Sequence, residues 1–151
     1  MIASGTLDKA QLLQMSFEQL DELFRNSPSG PIPDGEAEGT ALLVPGTPFS
    51  PAIAELINIF TWKGKTFDAE HGTLTNRILP MGLNAIVAQV YKAPSWLDQK
   101  ECIVLDYSKT SLVAHWIRDE IRLIGPGFYL GRVYWDQEAI LHFSLKFDEM
   151  K

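Results

Sequence analysis

Apolar and polar residues alternate most cleanly near the C-terminal end. There Leu141, Phe143, Leu145 and Phe147 face one way, and His142, Ser144 and Lys146 face the other. A period of two is that of a half-buried strand. The same pattern predicts strands over 39–44, 61–67, 73–79, 84–92, 101–107, 112–124, 127–135 and 139–147. Turn-forming stretches separate most of them, at 68–72, 80–82, 94–100, 125–127 and 136–138. Helical spacing is confined to a few places. Ser16 and Gln19 have capping-box form, and Phe17, Leu20, Leu23 and Phe24 then share one face of a helix that stops before Pro28. Ser50 as cap and Pro51 at the first helical position open a second helix, with Ile53, Leu56, Ile57 and Phe60 as its buried stripe. Segment 112–124 fits both periods. Val113, Trp116, Ile117, Ile121 and Ile124 would share a helical face, whereas a strand puts Ile117, Ile121 and Leu123 on one side with Asp119 among them. The strand is the favoured reading.

Eight short strands with hairpin-length links suit a closed, up-and-down antiparallel barrel, because closure removes exposed edges. A flattened sheet wrapped on the helix is the rival arrangement. Residues 28–39 (PSGPIPDGEAEG) read as a stiff polar loop or linker. The expected organisation is an N-terminal helix and acidic linker over 1–38, followed by the barrel over 39–151. The helix is expected either to plug a barrel end or to pack outside it, with a homodimer surface as the alternative.

Composition adds less than pattern. With 46% hydrophobic and 21% charged residues the chain has an ordinary globular balance. The net charge of −6 is uneven. Residues 1–38 hold seven acids against Lys9 and Arg25, while the remaining 113 residues carry twelve acids and eleven bases. The body therefore has no basic stripe to track phosphates, and nucleic acid is not an expected partner. A lone cysteine, Cys102, rules out an internal disulfide and reads as a small buried hydrophobe. No apolar run approaches the length of a membrane span, and the first residues lack the form of a signal peptide. The expected location is the cytoplasm.

A resemblance bears on the strand reading. The stretch from Phe60 to Phe67 (FTWKGKTF) resembles the signature of the bacterial GXWXG-type domain, with Trp62 and Gly64 matching and Phe60 where that pattern has its first glycine. Leu105-Asp106-Tyr107, Asp119-Glu120-Ile121-Arg122, Leu130-Gly131 and the terminal strand with Phe143 and Leu145 look like the companion domain of unknown function found behind it. The resemblance loosely spans residues 55–147. It implies a calycin- or lipocalin-like barrel and brings no established activity. True lipocalins place Gly-x-Trp on their first strand, which this chain does not.

Several familiar sites are missing as sequence signals. There is no P-loop and no Gly-x-Ser-x-Gly elbow, and the glycines from Gly125 to Gly131 have one residue too many for a dinucleotide fingerprint. His71, His115 and His142 are scattered without metal-ligand spacing, so no metal and no cofactor are expected. Polar residues that interrupt apolar strand faces are more informative. Asn76 lies between Leu74 and Ile78, and Asp119 between Ile117 and Ile121. Asp106 shares a face with Cys102 and Val104, whereas Tyr107 shares the opposite face with Ile103 and Leu105. A carboxylate pointing into a barrel is costly unless a cation or donor meets it, and desolvation raises its pKa. Such a group can anchor a ligand's polar end or act as a general base.

Asp119 and Asp106 are therefore the candidate catalytic carboxylates, with Lys65, Arg118 and Arg122 as available partners. Trp62, Asn76, Tyr91, Tyr107 and Tyr129 are candidate ligand-lining residues. The bland alternatives are specific. Asp119 can be met by a neighbouring strand's Arg or Lys, fixing register. Arg118, Glu120 and Arg122 can form a solvated cross-strand ladder, or line the cavity if the strand is inverted. Trp96, in a Pro-bounded loop, is a candidate gate at the barrel mouth. The leading functional expectation is binding of a small apolar or amphipathic molecule. A cofactor-free enzyme (a cyclase, isomerase or hydratase) and a scaffold with a filled interior are the rivals.

Overall fold

The structure is a computed structural model and describes residues 7–42, 65–78, 83–109 and 116–147, the side chains at 76–78 and 83–86 excepted. Two helices, α1 (Lys9–Leu13) and α2 (Phe17–Arg25), precede eight strands. These are β1 (Gly35–Leu42), β2 (Lys65–Asp68), β3 (Thr73–Ile78), β4 (Leu83–Pro94), β5 (Glu101–Asp106), β6 (Ile117–Gly125), β7 (Phe128–Trp135) and β8 (Glu138–Phe147). Each strand pairs antiparallel with its sequence neighbours, and β1 closes on β8 through Ala37↔Phe147 to Leu42↔His142. The up-and-down barrel expected from the alternation is the observed fold. The helix expected over 50–60 lies outside the described residues, as does Trp62.

Local chemistry explains the helices. Ser16 Oγ accepts from Gln19 N at 3.1 Å while Gln19 Oε1 accepts from Ser16 N at 2.9 Å, the reciprocal cap predicted for α2. Asp8 and Gln11 make the same pair for α1, a one-turn helix that the periodicity does not reveal. Neither helix plugs the barrel. Leu12, Leu20 and Phe24 lie outside it, against the outward-facing Leu42, Cys102, Val104, Phe128 and Leu130. Burying each of these large side chains stabilises the fold by about 1.5–3 kcal/mol. Cys102 is fully buried in this layer, and burial pushes its thiol up to about 12.

The expected linker is shorter than its composition suggests. β1 starts at Gly35, within the acidic stretch, because Glu36 and Glu38 point outward and only Ala37 needs burial. The preceding loop packs on the barrel: Pro28 O accepts from Leu123 N at 2.9 Å, Pro31 O accepts from the Tyr129 hydroxyl at 2.7 Å, and Ile32 joins the interior cluster.

The interior is lined by alternate residues of the strands, among them Phe67, Leu74, Ile103, Leu105, Tyr107, Ile121, Tyr129, Val133, Phe143 and Leu145. Gly131 is needed here, since a Cβ at that position would lie 2.3 Å from the Phe143 ring. Segment 117–125 is a strand, not a helix, and 112–115 lie outside the described residues. No described helix is long and apolar enough to cross a membrane.

Candidate functional site

Strand β6 decides which polar groups enter the barrel. Its register with β5 sets Asp119 opposite Leu105, and its register with β7 sets Asp119 opposite Val133. Both neighbours belong to the interior cluster, so Asp119 faces inward with Ile117 and Ile121. It is fully buried, and among the described residues neither carboxylate oxygen has a hydrogen-bond partner. On the other side of the barrel β2 begins with Lys65, which pairs with Ala37 of β1 and Asn76 of β3 and is 2% exposed. Its ammonium lies 6.0 Å from the centre of the Phe143 ring.

These two buried charges act on each other through the barrel interior. Burial raises the Asp119 carboxyl, the attraction of Lys65 opposes that rise, and Glu120 adds to it. Burial lowers the Lys65 ammonium, and Asp119 holds it partly up. An acid and a base are thus both displaced toward neutrality inside one barrel. The expectation that Asp119 is met by a hydrogen-bonding Arg or Lys of the next strand does not hold: its cross-strand neighbours, Leu105 and Val133, are apolar.

Stepping one residue along β6 reverses the picture. Glu120 is fully buried on the outer face. It accepts from Arg118 Nε and Nη2 at 3.0 and 2.8 Å, from Ser95 Oγ at 2.7 Å, from Trp96 N at 2.8 Å and from the Tyr134 hydroxyl at 3.2 Å. Arg122 is 1% exposed and donates to both Asp98 oxygens and to the carbonyls of Phe24, Lys100 and Glu101, with its guanidinium 4.5 Å from the Phe24 ring centre. The Arg122 hydrogen bonds hold the Asp98 carboxyl at about 2. These residues do not form a solvated ladder and do not line the barrel interior. They fasten the 95–100 loop and the end of α2 to the outer sheet face, a cover that single-strand periodicity does not disclose.

Asp106 also points outward. It accepts from the Tyr91 hydroxyl at 2.7 Å and from Ser108 N and Oγ at 2.9 and 2.6 Å. Burial would raise its carboxyl, but the Ser108 and Tyr91 hydrogen bonds leave it lowered. Tyr91 is 38% exposed, and burial together with Asp106 moves its phenol up to about 12. Trp96 sits on the outer face, its ring 4.2 Å from the Arg118 guanidinium carbon and edge-on to Tyr134. It does not gate the interior.

Of the residues singled out from sequence, the barrel interior therefore receives Asp119, Lys65, Tyr107 and Tyr129. The backbone of Asn76 lies beside Lys65. Asp106, Tyr91, Arg118 and Arg122 are excluded from it. Sequence reasoning passed over a second buried cluster, in which Asp21 on α2 meets Arg132 Nε at 2.7 Å and His142 Nε2 at 2.7 Å. Arg132 also donates to the Tyr134 hydroxyl, linking this cluster to Glu120. Burial would raise Asp21, but the His142 and Arg132 hydrogen bonds bring it down to about 2. The outward position of His142 in the alternating β8 pattern was the available signal. On the 68–72 turn, ligand atoms of Asp68, Glu70 and His71 lie within 4.8 Å of one another. Asp68 uses both oxygens to close that turn on His71.

No family model and no curated protein matches the chain. A solved structure described as a crystal structure of protein from Thermomonospora curvata superposes with a TM-score of 0.62 at 17% identity, covering 94% of this chain and 93% of that one. That likeness supports the barrel fold.

Proposed function

We propose that the barrel binds a small, largely apolar molecule in its interior, with Asp119 as the anchor for its polar end. The observation that carries this reading is a fully buried carboxylate whose two oxygens have no donor among the described residues, set among apolar and aromatic side chains. An ionised carboxylate in such surroundings is costly, and a ligand donor would offset that cost. Apolar walls with a few placed polar groups are the usual make-up of a small-molecule site. A closed up-and-down barrel is compatible with this use. The lipocalin-like resemblance and the single thiol fit a cytoplasmic carrier or sensor.

Native mass spectrometry of the purified chain tests the proposal directly. A retained small molecule, lost or weakened in Asp119→Asn but kept in Asp106→Asn, is the expected result. Absence of any retained or titratable ligand removes the reading.

One observation favours a second reading, a cofactor-free enzyme. Asp119 and Lys65 are an acid and a base displaced toward neutrality in the same interior, as proton transfer requires. Catalysis requires a large loss of rate in Asp119→Asn with binding largely kept, whereas a binding protein loses affinity only.

A further inference from the structure

Helix α2 is clasped to the outside of the barrel by a buried cluster of three ionisable side chains. Asp21 on α2 accepts from Arg132 Nε at 2.7 Å and Nη2 at 3.2 Å, and His142 Nε2 lies 2.7 Å from the same carboxylate. Phe17, one turn earlier on α2, sets its ring edge-on to the imidazole with 4.4 Å between centres. On β7, beside Arg132, the Tyr134 hydroxyl receives Arg132 and donates to Glu120, which is itself matched by Arg118. Across from His142, β1 presents the apolar Leu42, and the next outward residue of β8 is Ser144. Lys146 and Glu38 face each other one outward position beyond. Asp21 lies at about 2 and is ionised, so with Arg132 and a neutral His142 the cluster carries no net charge.

An ionised carboxylate only accepts, so the imidazole proton sits on Nε2 and the other ring nitrogen, Nδ1, is bare. Nδ1 is buried and has no partner among the described residues. A second proton on the ring would change two things at once. Nδ1 would become a donor with nothing to meet it, a costly state for a buried group. The cluster would also gain a net positive charge, His142 and Arg132 against one carboxylate, around a side chain that is 1% exposed. Burial is the largest influence on the ring and Arg132 adds to it, while Asp21 opposes both. The balance leaves His142 below its ordinary value of 6.5. When α2 lifts away, the ring meets water and the penalty disappears.

We infer that the docking of α2 on the barrel is proton-sensitive, and that proton uptake by His142 weakens the clasp. The docked state binds this proton less well than the undocked one. Docking is therefore strongest above 6.5 and weakens as pH falls below it. Asp21 stays charged through that range, because its own contribution is lost only below 3.8. Asp21, Arg132 and His142 lie outside the barrel, so the clasp stands apart from ligand binding in the interior.

Hydrogen exchange of the full chain, read by mass spectrometry, tests the clasp. Between about pH 7.5 and about pH 5 the amides of α2 are expected to lose at least about threefold in protection, after correction for intrinsic exchange, while those of β5 keep theirs. In His142→Gln, whose side-chain amide can still donate to Asp21 but takes up no proton, that loss is expected to vanish. An effect arising at His71 or His115 would persist in the variant. Protection of α2 that stays constant or rises toward acid pH overturns the inference. So does a loss shared equally by β5, or one that survives in His142→Gln. Should the variant fold poorly, ring-nitrogen chemical shifts of His142 in the unaltered protein decide. Protonation below 6.5 from an Nε2–H tautomer supports the clasp, and protonation at or above 6.5 overturns it.

Discussion

Successive residues of one strand, Asp119 and Glu120, are both fully buried carboxylates, yet they sit in opposite electrostatic worlds. Outward-facing Glu120 is met by an arginine, a hydroxyl, a backbone amide and a phenol. Among the described residues, inward-facing Asp119 is met by no hydrogen-bond donor, and Lys65 attracts it electrostatically. The outer network is what burial of polar groups normally demands, because satisfied partners offset desolvation. The inner arrangement leaves that demand open. Holding the sheet together does not account for the second carboxylate as it does for the first. On this comparison the outer face holds a satisfied polar network, and the inner face holds the carboxylate on which the proposed function rests.

The sharpest way to break the comparison is to remove an outer-face group. Arg122→Met retains much of the apolar stem over Phe24 but deletes the guanidinium donors to Asp98 and to three carbonyls, leaving Asp98 with the backbone N–H of Lys100. It should destabilise the fold by about 3–5 kcal/mol, since a buried ion pair loses one partner. Arg122→Lys should recover only part of that, because an ammonium cannot reproduce the planar fork. Urea titration followed by tryptophan fluorescence measures both. A loss of less than about 1 kcal/mol for the methionine variant would mean that the outer network is ornamental.

Next in size is the clasp between α2 and the barrel. Asp21→Asn weakens the contacts to Arg132 and His142 and should lower stability by about 1–3 kcal/mol at neutral pH. The pH dependence has a definite sign. Asp21 has a lower pKa folded than unfolded, so its contribution is present above the unfolded value of 3.8 and is lost as pH falls through about 2. The gap between the two proteins should therefore close as the medium is acidified through that window. A gap that stays constant there would show that Asp21 does not titrate with the clasp.

These contrasts also explain how far the sequence could be read. Alternation along Leu141 to Phe147 and the turn residues between strands were enough for an eight-stranded barrel, because a period of two with short links leaves few closed solutions. Alternation within β6 likewise put Asp119 on one face with Ile117 and Ile121, but left open whether that face points inward. The fate of Arg118, Glu120 and Arg122 could not be read that way. Periodicity reports which side of a strand a residue occupies, not what is laid over that side. Residues 95–100 and α2 are far from β6 in sequence, and their packing converts an expected solvent ladder into a buried network. The choice between Asp106 and Tyr107 had the same origin. One must face in and one out, and only the register Leu105↔Asp119 and Asp106↔Arg118 decides it.

The smallest expected effect is the most discriminating. Asp119→Asn removes no hydrogen bond, so at acid pH, where Asp119 is protonated, its stability should lie within about 1 kcal/mol of the parent. Above that range the proteins should part in the direction opposite to Asp21→Asn. A carboxyl whose folded pKa is raised above the unfolded value of 3.8 binds its proton more tightly when folded, so the parent loses stability as pH rises from 3.8 toward the folded value. The asparagine variant has no such proton to lose and should become relatively more stable over that interval. Asp21 and His142 titrate in both proteins, so their contributions cancel when the difference in unfolding free energy is plotted against pH. At higher pH the variant also withdraws the attraction that holds up the Lys65 ammonium, which then gives up its proton earlier. A difference that climbs from acid toward neutral pH would mark Asp119 as a carboxylate retained at the expense of stability. A flat or falling difference would mean that Lys65 fully compensates it, and the inner carboxylate would then join Glu120 as part of the framework.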